Sequence, residues 1–361
     1  MTRRRILAVA AALIAVGILV FALVFGERAM YLVKQGWYQG ELLYGRVPLD
    51  EAIASGQFDD QQVAKLRLVP EIKGFGQGIG LSATHNYDTI NPTWTHTIWN
   101  VSASDPVAFK NRRWWFPIVG SMPYLGFFER EPADALGAEL EAEGLDVYIR
   151  SAGAYSTLGW FRDPLMPGML KWSEYRLANT ILHELAHATV WVNGSVQFNE
   201  SFANFVGDEA ARAYMIDTYG EGSEPVVKMR TQIEDGEDWR RFMHSIYKDL
   251  DAVYKDPDLA REDKLSRKAE VLGSLGERVD TVGFRDPERY RKYVLKSEWN
   301  NARMMQFRTY NRSRGWFREL YEDQGSDLLG FMNEVQRITD GADDPYRALA
   351  DAVGADFDAK E

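Results

Sequence analysis

Residues 183–203 read HELAHATVWVNGSVQFNESFA and contain the side chains best suited to bind a metal ion in this sequence. Two of the chain's five histidines, His183 and His187, lie four residues apart. Four residues make about one helical turn, so in a helix both imidazoles point to the same side and can bind one ion. Glu184 is rotated by about 100° from His183 around such a helix. We therefore expect Glu184 to lie beside the two ligands, where it can accept a proton from a water molecule without binding the metal.

A catalytic zinc site needs a third protein ligand, because such sites hold three protein ligands and keep one position for water. The metzincin pattern is excluded, since Val190 and Asn193 occupy the positions of its glycine and its third histidine. Residues 193–195, Asn-Gly-Ser, can end the first helix and turn the chain, so that residues 199–203 open a second, antiparallel helix. The sequence predicts Glu200, thirteen residues after His187, as the third ligand.

The composition excludes several classes of function. A formal net charge of -11 and a pI near 5.1 leave no broad basic surface, so nucleic acid is not expected as a partner. The chain has no cysteine, which removes disulfides, thiolate metal ligands and a cysteine nucleophile. Any metal must therefore be held by histidine and carboxylate. Zinc is the expected ion, although these ligands also accept other divalent ions.

The first 26 residues differ from the rest of the chain. Arg3, Arg4 and Arg5 precede residues 6–25, which contain no charged or polar side chain. A helix of this length reaches about 30 Å, the thickness of the apolar part of a bilayer. Positive charge tends to stay cytoplasmic, so the sequence predicts a single membrane helix with the bulk of the chain on the extracytoplasmic side. A cleaved signal sequence is the alternative, but this apolar run is longer than the usual ~7–15 residues.

The remaining sequence, residues 27–361, changes in character along its length. In residues 27–170 we expect short helices at 31–66, interrupted by Pro48 and Gly56, then β-strands and one further helix. From residue 171 onward the pattern is almost wholly helical and includes the histidine motif. The expected fold is α+β and mostly helical, with a small mixed sheet followed by the helical part. The strands are expected at 97–103, 114–120 and 146–160, and the helices at 131–144, 173–192, 199–218, 225–255, 261–279 and in several pieces between 287 and 353.

The motif His183-Glu184-Leu185-Ala186-His187, followed by Asn-Glu-Ser-Phe-Ala at 199–203, resembles the gluzincin metallopeptidases. In that group HExxH is followed by a glutamate ligand, often in an Asn-Glu-x-x-Ala context. The resemblance implies a zincin-like helical core, Zn²⁺ held by both histidines and Glu200, and a peptide substrate. It also implies that Glu184 acts as general base and then as general acid. The thirteen-residue spacer is shorter than in thermolysin-like enzymes and the large zinc aminopeptidases.

A wider resemblance covers roughly residues 30–340. The segments at 114–128, 145–150, 154–165 and 300–311, together with the zinc motif, are similar to a bacterial family described as predicted aminopeptidases. Many members are lipoproteins, whereas this chain has no cysteine for lipid attachment and would use its apolar segment instead. The resemblance implies an aminopeptidase at the bacterial inner membrane, with its catalytic part on the periplasmic side.

The gluzincin resemblance also suggests where the substrate binds. A tyrosine or histidine usually stabilises the oxyanion in that group, and the candidates are Tyr155 and Tyr310, between which the sequence does not choose. An edge strand ahead of the zinc helix pairs with the extended substrate, and residues 151–160 are the candidate, with Gly153 and Ser156 at the peptide. An interior strand and turn explains the same segment equally well.

Weaker candidates lie elsewhere. Asn301 and Arg303 come from a family-like segment and are candidates to line the cleft or to recognise a peptide terminus, although core packing or capping explains them equally well. Asn204, four residues after Glu200, is a candidate to orient a zinc histidine, and helix packing is the alternative. Glu209 and Asp208 are possible acidic residues for the substrate's amino group, but a solvated helix face is the simpler explanation, so the sequence does not identify that residue.

The sequence thus predicts a membrane-anchored, extracytoplasmic, zinc-dependent peptidase, with aminopeptidase action implied by resemblance. One alternative is a catalytically inert, metal-containing binding module at the membrane. The other is an endopeptidase or a cell-wall peptide hydrolase. The intact Glu184 favours an enzyme, because a binding module has no use for a base beside the metal ligands.

Overall fold

The computed structural model describes residues 27–116, 120–152, 162–307 and 312–357. Helices hold 63% of the described residues and the sheets are small, which confirms the prediction of a mostly helical fold. Within the described ranges, no helix is both long and apolar enough to cross a bilayer. The apolar residues 6–25 lie outside the described ranges.

Three helices open the described chain, which agrees with the two or three helices predicted at 31–66, but the first and third are longer than predicted and the third extends to Gly78. They are α1 (Glu27–Tyr44), α2 (Leu49–Ala54) and α3 (Asp60–Gly78). Helix α3 begins with a capping box, in which the Asp59 side chain accepts a hydrogen bond from the Gln62 N–H and the Gln62 side chain accepts one from the Asp59 N–H. Gly76 brings this helix close to the zinc-motif helix, because a Cβ there would lie 2.8 Å from the side chain of Leu182.

Within the part of the chain that the structure describes, seven short strands form three small sheets rather than one. The central sheet has the order β6-β3-β7, and β3 pairs antiparallel with both neighbours. The expected mixed sheet is therefore wrong, because β3 runs antiparallel to both β6 and β7. Between described residues, a parallel pairing occurs only as the isolated bridge between Ile90 and Leu165. The strands are β1 (Val47–Pro48), β2 (Thr89–Ile90), β3 (Ile98–Ser104), β4 (Trp114–Phe116), β5 (Gly120–Met122), β6 (Leu125–Phe127) and β7 (Asp146–Ala152).

Helix α4 (Arg130–Ala142) connects β6 to β7 and covers one face of the central sheet. Its buried residues include Ala133 and Leu140, which pack in one cluster with Val101 of β3. Gly137 allows the close approach, because a Cβ there would lie 2.9 Å from the Ile149 side chain. Helix α4 confirms the helix predicted at 131–144.

The rest of the described chain is helical, apart from connecting turns. Helices α5 and α6 form an antiparallel pair next to α3, and their apolar faces share the largest core with α12 and α13. A second core lies among α7, α9, α10 and α11. The single helix predicted at 261–279 is two helices that meet at Ser274. The helices are α5 (Glu174–Thr189), α6 (Val196–Tyr219), α7 (Glu224–Lys255), α8 (Arg261–Gly273), α9 (Leu275–Val279), α10 (Pro287–Lys296), α11 (Asn301–Met304), α12 (Arg312–Asp323), α13 (Leu328–Thr339) and α14 (Pro345–Ala352).

Candidate metal centre

Helix α5 carries both motif histidines at the margin of its buried face. The Ser173 hydroxyl starts the helix by accepting a hydrogen bond from the Arg176 N–H at 3.3 Å, which satisfies one of the free N–H groups of the first turn. Leu185 is fully buried in the core. The side chains of His183 and His187 are only 15% and 16% exposed. They therefore lie between the core and the solvent, held by a helix that cannot rotate without exposing apolar side chains.

The turn after α5 is fixed by Asn199, whose side chain is almost fully buried. Its Oδ1 accepts a hydrogen bond from the Val192 N–H and its Nδ2 donates to the Val192 carbonyl, both at 2.8 Å. Gly194 lies in the turn at φ +80°, a backbone conformation that glycine adopts without strain. Asn199 thus sets the position of the next residue, Glu200. Sequence spacing does not assign this role to Asn199, because both hydrogen bonds go to main-chain atoms.

Helix α6 comes close to α5 at Gly207. A Cβ at this position would lie 3.0 Å from the Asn179 carbonyl oxygen and 3.1 Å from the His183 Cβ. These contacts are tighter than ordinary van der Waals packing, so a larger side chain would push the two helices apart. Gly207 therefore helps set the distance between the helix of the histidines and the helix of Glu200.

The two helices bring the three predicted ligands together. The Nε2 atoms of His183 and His187 are 3.0 Å apart. The Glu200 carboxylate oxygens lie 3.6 Å from His183 Nε2 and 3.5 Å from His187 Nε2. Ligand atoms about 2.0–2.1 Å from a tetrahedral zinc ion are roughly 3.3 Å apart, so these distances fit that ion. The three residues form the metal-ligating cluster found among the described residues, and the cluster confirms that Glu200 and the two histidines could hold a metal.

The electrostatics of the cluster favour metal binding over proton binding. Burial, and then the neighbouring His183, lower the pKa of His187 to about 4, against the opposing effect of Glu200. The imidazole is therefore neutral near pH 7 and keeps a lone pair for a ligand bond. The His183 ring lowers the pKa of Glu200, against the effect of burial, so that this carboxylate stays charged. The neutral imidazole of His187, the charged carboxylate of Glu200 and the neighbouring His183 ring form a histidine and carboxylate donor set of the kind that binds zinc.

Glu184 occupies a different environment on the same helix. Its carboxylate is not part of the ligand cluster and lies on the neighbouring flank of α5. Burial raises the pKa of Glu184; His183 lowers it, while the carboxylates of Asp163 and Glu200 raise it. A glutamate with a raised pKa is a better proton acceptor than an ordinary one, because basicity increases with pKa. This is the property that a general base requires.

Tyr87 is a neighbour of Glu184 that sequence spacing does not reveal. The side chain is 2% exposed, and burial followed by the charges of Glu184 and Asp163 raises its pKa well above the usual range. The phenol therefore lies within the field of both carboxylates and keeps its proton. Its backbone has φ +63°, which is rare for a bulky residue and strained.

Three hydrogen bonds hold the Tyr87 loop in this conformation. The Tyr87 N–H donates to the Asp163 carbonyl at 2.8 Å, and the Asp163 N–H donates to Asn86 Oδ1 at 3.0 Å. The buried Lys73 ammonium donates to the Asn86 carbonyl at 2.9 Å and pairs with Asp88. The strained residue is thus kept in place by a polar network that joins α3 to the segment before α5.

The described candidates Asn204, Asn301 and Arg303 are not part of the ligand cluster. Asn204 is exposed, and Nδ1 of His187 is buried without a hydrogen-bond partner among the described residues, so the orienting role of Asn204 stays a prediction. Asn301 is fully buried; it accepts a hydrogen bond from the Tyr254 hydroxyl at 2.7 Å and donates to the Asp105 carbonyl at 2.9 Å.

Arg303 is held in a similar structural setting. Its guanidinium donates to the Glu298 carbonyl at 2.9 Å and lies over the Trp299 ring, 4.2 Å from the centroid. These contacts account for Arg303 without a substrate, so substrate recognition by this residue stays a prediction. The remaining candidates, Gly153, Tyr155, Ser156 and Tyr310, lie outside the described residues.

Two acidic residues of α6 are paired with arginines of α12. Asp208 lies 2.7 Å from Arg314 and accepts a hydrogen bond from the Asn179 amide at 2.7 Å. Glu209 is 6% exposed and pairs with Arg318. Both carboxylates are therefore engaged by the protein and join α6 to its neighbours.

Asn199→Ala is expected to loosen the metal site. The change leaves the N–H and carbonyl of Val192 without their partners, at a cost of about 2–4 kcal/mol in the free energy of unfolding. It should also weaken metal binding by roughly 10–100-fold, the usual effect of losing a positioning residue. Urea unfolding and metal titration measure the two effects. The matched control is Asn193→Ala, an exposed residue of the same turn, and equal metal affinity in both variants would contradict the positioning role.

The metal-free protein is expected to lose stability as the pH falls from about 6.5 to about 4. The pKa of His187 is lowered from 6.5 to about 4 on folding, so the unfolded chain binds more protons in this window and stability rises with pH across it. The His187 contribution is on the order of 2–3 kcal/mol. The measurement compares urea unfolding of chelator-treated wild type and His187→Gln at pH 7 and pH 4.5. An equal pH effect in the two proteins would contradict the lowered pKa.

Comparison of the sequence with known proteins identifies the family of the chain. Neither the curated proteins nor the solved structures yield a match to the chain. A family model described as "Putative aminopeptidase" matches residues 30–348, which include the sheets, the HELAH helix and Glu200. The match covers most of the chain and nearly the same range as the resemblance read from its segments. The chain belongs to this aminopeptidase family.

Proposed function

We propose that the chain is a zinc-dependent peptidase of the gluzincin type, with an aminopeptidase as the preferred form. The observation that carries the proposal is the convergence of His183, His187 and Glu200, with ligand atoms within 4.8 Å of one another, beside a glutamate outside the cluster. Family membership supports peptidase activity. The ligand distances and the neutral His187 support zinc.

In this proposal each residue near the cluster has a separate task. His183, His187 and Glu200 would hold the ion, and a bound zinc ion would lower the pKa of a water molecule toward about 7 and polarise a carbonyl. Glu184 accepts the proton released by the attacking water and delivers it to the leaving amine. Its raised pKa suits both steps, because the same group must bind and then release the proton. Tyr155 and Tyr310 remain the candidates for stabilising the oxyanion.

The edge of the central sheet offers a place for an extended peptide. Among the described strands, β7 pairs only with β3, and the Asn300 amide donates to the Val147 carbonyl on the other side of β7 at 2.7 Å. Main-chain groups alternate in direction along a strand. The polar groups of Ile149 and Ser151 should therefore also face this outer edge, in line with strand addition of a substrate. The edge leads directly into residues 153–161, where Gly153 and Ser156 are the predicted contacts.

The proposed location is the bacterial inner membrane, with the peptidase part on the periplasmic side. Support comes from the sequence: residues 6–25 carry no charged or polar side chain and follow three arginines. A membrane location would keep the enzyme near peptides that cross or line the cell envelope. The substrates in this proposal are therefore peptides outside the cytoplasm.

Three peptide substrates distinguish an aminopeptidase from an endopeptidase and from a cell-wall hydrolase. The full chain, purified in detergent and loaded with zinc, is given a peptide with a free amino terminus, its N-acetylated form and a cell-wall peptide. An aminopeptidase releases the first residue from the free peptide and leaves the acetylated one intact. Cleavage of both forms indicates an endopeptidase, and cleavage of the cell-wall peptide alone indicates a cell-wall hydrolase. Bound zinc without cleavage of any peptide would overturn the peptidase proposal in favour of a binding module.

A further inference from the structure

Helix α1 has an inner face that docks on the rest of the fold. The Tyr31 hydroxyl donates to the Gly126 carbonyl at 2.9 Å, and its ring lies 5.9 Å from the Phe116 ring. Tyr38 packs on Phe128 at 5.1 Å between centroids, and Leu42 is fully buried. These contacts fix the orientation of the helix and determine which of its faces points away from the fold.

The outer face of α1 is apolar and exposed. Val33, Trp37 and Tyr44 are 63%, 74% and 95% exposed. At about 100° per residue these positions lie within ~40° of one another and opposite Leu42. Gly36 and Gly40 lie on the same side, and nothing comes within 4 Å of a Cβ at either position. Large aromatic side chains grouped on one exposed face indicate a surface that contacts something else.

Further exposed aromatics occur beside α1. Trp115 is 58% exposed, and its neighbour Phe116 packs on Tyr31 of the helix. Tyr124, in the turn that leads from β5 to β6, is 38% exposed. Exposed aromatic side chains therefore occur both on α1 and on the neighbouring β4–β6 region.

The sequence before α1 indicates what covers this face. Residues 6–25 are uncharged and apolar, and they end two positions before the helix starts at residue 27. A bilayer that holds this segment would lie next to α1. Trp and Tyr prefer the boundary between lipid and water, because their rings are apolar while the N–H and O–H groups are polar. We propose that Val33, Trp37 and Tyr44 of α1 form a lipid-contacting surface that holds the peptidase part against the bilayer.

A second copy of the chain fits this face less well. Two large aromatic side chains and one valine offer roughly 500 Å² of contact, whereas a stable protein interface buries about 800 Å² on each partner. The charges at the margin of the face, Lys34 and Glu41, are of opposite sign, so no basic patch selects anionic lipid. The surface is expected to contact zwitterionic lipid through its apolar and aromatic side chains.

The test uses the absence of cysteine, which allows one label for each variant without background. Val33→Cys, Trp37→Cys and Tyr44→Cys are made in the full chain, labelled with an environment-sensitive fluorophore and reconstituted in phosphatidylcholine vesicles. Val227→Cys on α7, 53% exposed, is the matched control. Lipids with a spin label near the headgroup should quench the three α1 labels several-fold more than the control label. Zinc content measured on each variant shows that the peptidase part is folded.

The lipid-contacting surface rests on the proposed membrane location, and the experiment tests the two separately. A chain that does not float with the vesicles contradicts the proposed membrane location, and the lipid surface with it. Flotation with equal quenching at Trp37→Cys and Val227→Cys overturns the lipid surface alone. Interchain disulfides at position 37 under mild oxidation, without quenching, would assign the face to a second copy and also overturn it.

Discussion

Glu184→Gln is expected to lower kcat for peptide hydrolysis by about 10²–10⁴-fold, the usual contribution of a general acid–base residue. Bound zinc should stay at about one ion per chain, because Glu184 is outside the cluster of His183, His187 and Glu200. Glutamine keeps the size of the side chain and cannot accept the proton. Steady-state kinetics with a free-amino peptide, together with metal analysis of the same sample, measure both quantities.

Glu139→Gln provides the matched control for this prediction. Glu139 is an exposed glutamate in the middle of α4, so the same chemical change should leave kcat near that of wild type. If Glu184→Gln lost its zinc, Glu184 would be a ligand rather than a base. If it retained wild-type kcat, the proton transfer would belong to another residue.

His183→Ala is expected to remove the bound zinc and the peptidase activity together. The change leaves His187 and Glu200 as two ligands, one fewer than catalytic zinc sites hold. Metal affinity should fall by more than the ~10–100-fold typical of losing an orienting partner. The fold should persist, because the His183 side chain lies at the margin of the core and is 15% exposed. Competition titration against a chelator gives the affinity, and near-ultraviolet circular dichroism reports the fold.

His244→Gln is the control for His183→Ala. His244 lies on α7, where its Nδ1 is 3.2 Å from the Phe307 carbonyl oxygen, and it is not in the ligand cluster. Its loss should leave metal affinity unchanged. A His183→Ala protein that binds zinc as tightly as His244→Gln would contradict the assignment of His183 as a ligand.

The core of the site could be predicted from sequence because its members are close along the chain. A spacing of four residues fixes the relation of His183 to His187 in any helix. The glycine turn at Gly194 then limits where the next helix can run, which brings Glu200 to the same side. The strand at 97–103, the first part of the strand segment predicted at 146–160 and the helix at 131–144 were also predictable, because their local patterns and their positions in the fold agree. Residues 153–160 of that segment lie outside the described residues.

The surroundings of the site could not be predicted because they depend on contacts between distant segments. Tyr87 lies in a loop nearly a hundred residues before Glu184 in the sequence, yet the charge of Glu184 acts on it in the fold. The strained φ of Tyr87 has no sequence signature. The separation of the strands into three antiparallel sheets depends on pairing partners, which periodicity does not specify. Asn301 illustrates the same limit, since its buried hydrogen bonds to Tyr254 and Asp105 cross from one segment to another.

X-ray absorption at the zinc edge of the full chain would show whether His183, His187 and Glu200 bind zinc. We expect about one zinc ion per chain, with two imidazole nitrogens at about 2.0–2.1 Å from the ion and a carboxylate oxygen at a similar distance. One imidazole should disappear from the spectrum of any sample of His187→Gln that still holds zinc. A chain that binds no zinc after incubation with the metal, or that binds it without imidazole ligands, would show that His183, His187 and Glu200 do not form a zinc site.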